Sequence, residues 1–381
     1  MYKRLRLGKL FRDHVFVILG WLIWIALQLS GHKFGDGDSL GTLAAGSALT
    51  FCIMLGCVFS VVRSADELAE LLDEPYGTLV LTLSATAIEV SLMLMVMAGG
   101  GQNPAMLRDT IFATLMVVLN GMVGVSLVSG GWINVEQSFN LRGALSFLHL
   151  IAPLSLLLLV LPNYTSSTDG PTLDPVQEAF LGLLCLLMYG VFLLIQTGRH
   201  RSYFANLSAV LDEEPEDNGN GNAAPALHRR RGAILHGAMN LLAALLPVVL
   251  LAEHLGSVID FAIERSHTPA ALGGLVVAAL VLLPEGVGAQ RAAALNLMQR
   301  AVNICLGSAL ATIGLTVPTI VVAASLQGHA LTLGLDGAQE TLLYATLLVS
   351  VMTFVSGSAN VLQGLVHLML FVAYLFFVFV P

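Results

Sequence analysis

The chain has 381 residues, 56% of them hydrophobic and only 11% charged, with 17 Lys and Arg against 25 Asp and Glu. Charged side chains make up about a quarter of an ordinary soluble protein, so this composition excludes a soluble enzyme or binding domain. The net charge of −8 likewise gives no basic face for nucleic acid.

Apolar runs of at least about 18 residues, long enough to cross a bilayer, recur almost from end to end. In chain order they predict eleven helices, at 14–30, 41–62, 77–98, 109–130, 142–161, 177–198, 233–252, 269–289, 299–324, 340–355 and 358–380. The opening MYKRLRLGKLFR followed by FVILGWLIWIALQLS has the basic and apolar regions of a signal peptide. The following GHKFGDG offers no A-x-A-like cleavage site, so a retained first helix is expected. The acids of DELAELLDE, residues 66–74, and of DEEPED, residues 212–217, are placed in connecting segments. Cys52, Cys57, Cys185 and Cys305 all lie inside apolar runs without a C-x-x-C pair, so they read as small buried hydrophobes and not as disulfide or zinc ligands. Only SGSAN separates the last two helices, and one long helix or a re-entrant hairpin would give a similar pattern.

Orientation follows from the Lys and Arg of the short loops, which concentrate on the cytoplasmic side. With the N-terminus inside, only Lys33, Arg108 and Arg265 of the 17 basic residues fall outside, a separation that a miscounted helix would scramble. The expected arrangement is an N-terminal segment and first helix (1–40), five helices (41–198), an acidic cytoplasmic loop (199–231) and five more helices (232–381), with the C-terminus periplasmic. The loop contains LDEEPEDNGNGNAAPA, a composition that cannot bury a core and reads as a solvated linker. Five is odd, so the second set crosses the membrane upside down relative to the first. Such inverted repeats are a recurring transporter architecture with the site near the bilayer midplane.

Two glutamates stand out. Glu89 lies in LSATAIEVSLMLMVM with no other charged residue from Pro75 through Leu107, and Glu285 lies in LVVAALVLLPEGVGAQ with none other between Arg265 and Arg291. Each occupies the second helix of its set, and the next helix carries a matching step: Asn120-Gly-Met-Val-Gly124 and Asn303-Ile-Cys-Leu-Gly307, with Ser126 and Ser308 close behind. The spacing from glutamate to asparagine differs, 31 residues against 18.

An ionised carboxylate at a helix centre costs about 2.5–3.5 kcal/mol on insertion scales, so it belongs against protein or a water-filled cavity. Lys and Arg occur only near the ends of the predicted spans, leaving no fixed cation to neutralise either glutamate. Two carboxylates brought close resist simultaneous ionisation; each must take up a proton or bind a mobile cation. Competition of protons and a metal ion for one carboxylate pair is the physical basis of an exchanger. Carboxylate, amide carbonyl, hydroxyl and backbone carbonyl are hard donors suited to Ca2+ or an alkali cation. Pro284 lacks an N–H and frees a carbonyl one turn earlier; Ser84 and Thr86 offer hydroxyls in the first set. His149, His236 and His367 fall within or near spans, as proton relays or as histidines bonded to a neighbouring helix. Ser350, Thr353, Ser356, Ser358, Asn360 and Gln363 make the last junction polar, either lining a cavity or bonding a tight hairpin. A passive channel would need a ring of acids or carbonyls built by oligomerisation, and no nucleophile or H-E-x-x-H motif points to an enzyme.

The segments PYGTLVLTLSATAIEVSLMLM and LVLLPEGVGAQRAAALNLMQRAVNICLGSALATIGLTVP closely resemble the two α-repeats of the calcium/cation antiporter superfamily, in its bacterial ChaA-type calcium/proton antiporter branch; QTGRHRSYF is similar to that branch too. The resemblance spans nearly the whole chain from residue 41. It implies an all-α integral membrane protein with a ten-helix inverted-repeat core and one added N-terminal helix, exporting cations in exchange for protons across the inner membrane. It implies Glu89 and Glu285 as shared proton and metal ligands and Asn120 and Asn303 as the repeat asparagines. The G-N-x-x-E signature of vacuolar-type exchangers is replaced by T-A-I-E and L-P-E. The expected cargo is Ca2+, with Na+ or K+, or coupling to Na+ instead of protons, as alternatives. Beyond cations, protons and the bilayer, no cofactor, nucleic acid or obligate protein partner is expected.

Overall fold

The computed structural model describes residues 2–30, 40–72, 76–98, 104–204, 232–252, 269, 271–328 and 330–380. Among the described residues the chain is almost wholly helical. The helices are α1 (Tyr2–Ser30), α2 (Leu40–Leu71), α3 (Tyr76–Ala98), α4 (Met106–Asn134), α5 (Leu141–Leu159), α6 (Pro175–Thr197), α7 (Gly232–Ala252), α8 (Ala271–Ala294), α9 (Met298–Gln327), α10 (Gly337–Val355) and α11 (Val361–Phe379). Each matches one predicted span. Among the described residues nine are long and apolar enough to cross a membrane, and α1 and α3 contribute the apolar stretches Val15–Leu29 and Leu83–Leu94. The acidic loop expected at 199–231 lies outside the described residues from 205 onward.

One boundary differs in an informative way. α2 runs on to Leu71, so the first acids of the 66–74 cluster belong to a helix and not to a loop. Ala, Leu and Glu are strong helix formers, and Arg63 pairs with Glu67 across one exposed turn at 3.5 Å, an i,i+4 arrangement that supports the extension. Of the cysteines, Cys57, Cys185 and Cys305 are buried, as the sequence suggested, but Cys52 is exposed, and all four are free.

The helices form two compact units, α1–α3 with α7 and α4–α6 with α8–α11, a division that cuts across the two five-helix sets. In the first unit, glycine lets backbones close up. A Cβ at Gly56 of α2 would collide with the Phe16 ring of α1, and one at Gly20 would stand 2.8 Å from Cys57 Sγ and 3.0 Å from Pro247 Cβ. Small residues at such contacts are how apolar helices gain packing when lipid removes the hydrophobic driving force. The Trp21 indole donates to the Ala243 carbonyl at 3.3 Å, tying α1 to α7 as well.

In the second unit, short connections fix the helix ends. Asn140 caps α5 by accepting from the Arg142 and Gly143 amides, while Asp174, Asp336 and Asn360 each build a capping box at the start of α6, α10 and α11, satisfying amides that the first helical turn leaves without partners. Residues Gln137–Ser138 pair antiparallel with Ser358–Ala359. The SGSAN segment is thus a true break between two helices, pinned to the α4–α5 connection. Gln137 reaches further: its Nε2 donates to the Ala293 carbonyl at 2.8 Å and to Asn296 Oδ1 at 2.9 Å, holding the α8–α9 turn, where Asn296 adopts φ 61°. Gln137→Leu strips both acceptors of their donor. It is expected to cost about 1–3 kcal/mol, read as a lowered Tm of the detergent-purified chain.

Two helices carry a feature invisible to hydrophobic periodicity. α4 widens into a π-helix over Val117–Met122, and α9 over Thr312–Thr316. In α9 the cause is legible after the fact: Pro318 has no N–H for the Gly314 carbonyl one turn earlier, and its ring crowds that turn. Such bulges gather at functional sites because they release backbone carbonyls from the ladder.

Candidate cation site

Glu285 sits deep in α8, 7% exposed, directly after Pro284 in an unbroken helix. Pro284 cannot donate to Leu280, so that carbonyl loses its intrahelical partner as expected. α8 lies close against α4 on both sides of the glutamate. A Cβ at Gly274 would stand 2.8 Å from the Asp109 carbonyl carbon, and one at Gly286 would stand 3.3 Å from Met122 Cγ. The carboxylate has Ser308 of α9 as a hydroxyl partner, and the Cys305 thiol, one turn earlier on α9, lies near both Glu285 and Ser126 of α4. Glu285 Oε2 and Ser126 Oγ are buried with no hydrogen-bond partner. Among the described residues Glu285 forms no ion pair; those present are Arg63 with Glu67 and Arg108 with Asp109.

Three predicted residues therefore meet: Glu285 and Ser308 directly, with Ser126 joined through Cys305. Sequence reasoning passed over Cys305 as a buried hydrophobe. Its i,i+3 spacing to Ser308 was the available signal.

Asn120 lies inside the α4 π segment, fully buried. Its Nδ2 donates to Thr346 Oγ1 of α10 at 2.8 Å, and its Oδ1 has no hydrogen-bond partner. The amide is thus anchored by its nitrogen and presents its carbonyl oxygen, a hard donor, to the interior. Thr346 was not singled out from sequence, although it falls i−4 from Ser350.

Asn303 stands differently. It lies in the second turn of α9, where Oδ1 accepts from Gln299 Nε2 at 2.8 Å and Nδ2 donates to the Phe204 carbonyl at 2.7 Å. Both ends of its amide are engaged in fastening α9 to the chain after α6. At the depth of Asn120, α9 instead offers Thr312, which opens its π segment and follows Glu285 by 27 residues, nearer the 31 of the first repeat. The four-residue Asn-to-Gly step matched locally but not in depth, because the α3–α4 and α8–α9 connections differ in length.

In the other unit, Glu89 is buried in α3 at 6% exposure, beside the buried Ile88, Leu92 and Met93. Ser84 is buried and bonds back to the Val80 carbonyl of its own helix at 2.6 Å, and Thr86 is buried one turn before Val90.

A family described as sodium/calcium exchanger protein matches residues 42–198 and 236–380, both five-helix sets. The chain belongs to the sodium/calcium exchanger family. This places it in the calcium/cation antiporter superfamily as a multi-pass membrane transporter and not an enzyme. The exchanger is 38% identical over 331 residues to the putative ionic transporter y4hA of Sinorhizobium fredii (strain NBRC 101917 / NGR234), covering 86% of this chain and 87% of that one. It is 36% identical over 346 residues to the sodium-potassium/proton antiporter ChaA of Escherichia coli (strain K12), covering 91% and 92%. Among solved structures, native YfkE superposes with a TM-score of 0.70 at 17% identity, covering 97% of this chain and 100% of that one. The H+/Ca2+ exchanger CAX also gives 0.70, at 16% identity, covering 97% and 88%. At such identities these structures speak for the fold alone, the inverted-repeat architecture expected from the odd helix count.

Proposed function

We propose that this exchanger is a secondary active cation/proton antiporter of the bacterial inner membrane, N-terminus cytoplasmic and C-terminus periplasmic, with Ca2+ the first expected cargo. Glu89 and Glu285 serve as the carboxylates for which protons and cation compete. The observation that carries the reading is Glu285: a buried carboxylate oxygen without a hydrogen-bond partner, no cationic side chain paired with it among the described residues, and hard oxygen donors around it. Such a group is tolerable in hydrocarbon only if neutralised by something that comes and goes, and a proton or a transported cation meets that need. Ser308 and Ser126 complete the donor set on α9 and α4, and Asn120 adds its carbonyl from the π segment. Asn303, with its amide already spent, takes the packing role. Ser84 and Thr86 are the hydroxyls of the first repeat assigned to Glu89.

A second reading, Na+ or K+ in exchange for protons, draws on the 36% identity to a protein named as a sodium-potassium/proton antiporter. The test is collapse of an imposed pH gradient in proteoliposomes by Ca2+, Na+ and K+ in turn, with Glu89→Gln and Glu285→Gln as controls. Both variants exchanging at the wild-type rate would sink the assignment of the site. Cation flux without proton movement would favour a channel or a Na+-driven exchanger.

The Asn120–Thr346 bond gives a narrower expectation. Thr346→Val leaves the amide unanchored in an apolar interior, where losing one good hydrogen bond costs about 1–3 kcal/mol. With 1.4 kcal/mol per tenfold, the half-saturating cation concentration should rise by about an order of magnitude, measured as the concentration dependence of transport.

A further inference from the structure

Away from Glu285, a second buried polar assembly joins α4, α10 and α11. Thr346, Ser350 and Thr353 recur at i, i+4 and i+7 along α10 and share one face. At about 1.5 Å per residue they span roughly 10 Å. Thr346 and Ser350 are fully buried and Thr353 is 3% exposed. One end of the row meets Asn120 through Thr346. The other meets His367 of α11, itself fully buried, whose Nε2 lies 3.0 Å from Thr353 Oγ1 and whose ring also faces the backbone of Leu119 in the α4 π segment. One turn beyond, at the α10–α11 junction, the Gln363 amide donates to the Ser356 hydroxyl at 3.3 Å and Ser356 is exposed. The row thus leads from an exposed junction inward to the proposed ligand Asn120.

Its hydrogen bonding is incomplete in a patterned way. Ser350 Oγ and Asn120 Oδ1 are buried without a hydrogen-bond partner, one at the middle of the row and one at its inner end, while His367 Nδ1 has only the Leu119 backbone beside it. Ser146, Thr341 and Ser356 bond back to carbonyls of their own helices; Ser350 does not. A network that served only to hold helices together would close on itself, since each unmet buried polar group costs about 1–3 kcal/mol. Open valences strung along one line are what internal water satisfies. Hydroxyls, water and imidazole each donate and accept at once, which proton transfer along a chain requires. Imidazole alone among them can take up a proton and give it back.

We infer that the row from Ser356 through Thr353, His367 and Ser350 to Thr346, which anchors the proposed ligand Asn120, is a proton pathway, with His367 its proton-carrying group. This deepens the antiport reading and rests on it. The titratable side chains that the flanking helices carry are Arg108 and Asp109 on α4, Glu340 and Tyr344 on α10, and Tyr374 on α11 itself. Asp109 pairs with Arg108, and none of the five bonds the His367 ring.

The test separates proton movement from cation movement in proteoliposomes of the full chain. An entrapped pH dye reports protons driven by gradients of Ca2+, Na+ or K+, and labelled cation exchanged for the same unlabelled cation at equal pH reports turnover without net proton transfer. His367→Gln keeps a hydrogen-bonding group beside Thr353 but cannot carry a proton; dye-reported movement should fall at least about tenfold while labelled exchange stays within about twofold of wild type. Ser350→Ala removes a hydroxyl that bonds nothing, so the fold is spared, and it should show the same split more weakly. A loss of both readouts together in Ser350→Ala, or of neither in both variants, overturns the pathway. Wild-type chain that exchanges labelled cation but moves no protons overturns the antiport reading and the pathway with it. Coupling that survives His367→Gln overturns the pathway alone.

Discussion

Glu285→Gln is expected to abolish cation-driven proton movement while leaving the chain at least as stable as wild type. The two halves of that expectation have one cause. Glutamine matches glutamate in size and bonds Ser308 equally well, so packing around α8 is preserved. What is lost is the charge, and with it the capacity to hold a cation or exchange it for a proton. A charge at a helix centre costs about 2.5–3.5 kcal/mol to insert, and the neutral variant escapes that cost in every state where wild type is ionised. Functional residues commonly work against stability in this way. A purely structural Glu285 would behave oppositely, because removing one partner from a buried charge pair is destabilising. Dye-reported proton movement falling by about two orders of magnitude, together with an unchanged or raised Tm in detergent, fits the exchanging carboxylate. Transport and Tm falling together would assign it to the fold.

How far such features can be read without coordinates depends on their length scale. The eleven helices were legible because a span needs about 20 apolar residues, a signal that survives errors of several residues at each end. Glu89 and Glu285 were legible because each is the one charged residue in a long apolar run of sequence, where a charge has a high cost. The α2 extension was not, since Ser64–Leu71 is too polar to read as a span and is carried by helix propensity and one exposed ion pair. The depth of Asn303 was missed because a four-residue motif carries no record of where its helix begins; the α8–α9 turn had to be seen before Thr312 emerged as the residue at the position along α9 that Asn120 holds along α4. The partnership of Asn120 with Thr346, 226 positions apart, depends on the α4–α10 crossing, which no local pattern encodes. His367 was noted as a candidate, but its contacts with Thr353 and Leu119 come from helices far apart in the chain and could be read only from the fold.

A different crossing, of α11 over α4, sets a further large expected effect on stability, at Gly364. Here α11 approaches α4 so closely that a Cβ would stand 2.8 Å from the Val128 amide nitrogen and 2.9 Å from the Gly124 carbonyl oxygen, while a Cβ at Gly124 would meet Leu368 at 2.8 Å and the Gly364 carbonyl at 3.1 Å. The contact is nearly reciprocal, backbone on backbone. A flexible side chain can swing aside; a peptide unit in a helix can move only with its helix. Gly364→Ala must therefore push α11 away from α4. Glycine's helix penalty, about 1 kcal/mol relative to alanine, would favour the substitution on an isolated helix, so the sign is decided by tertiary contact. Overpacking typically costs about 1–3 kcal/mol, and separation of the helices also loosens His367 from Leu119. A lowered Tm with reduced proton coupling is the expected result. Gly170→Ala serves as the control, since φ +88° strains it locally while nothing lies within 4 Å of its Cβ position; it should lower Tm modestly and leave coupling intact. An equal loss of coupling at both positions would mean that α4–α11 proximity has no special part in moving protons.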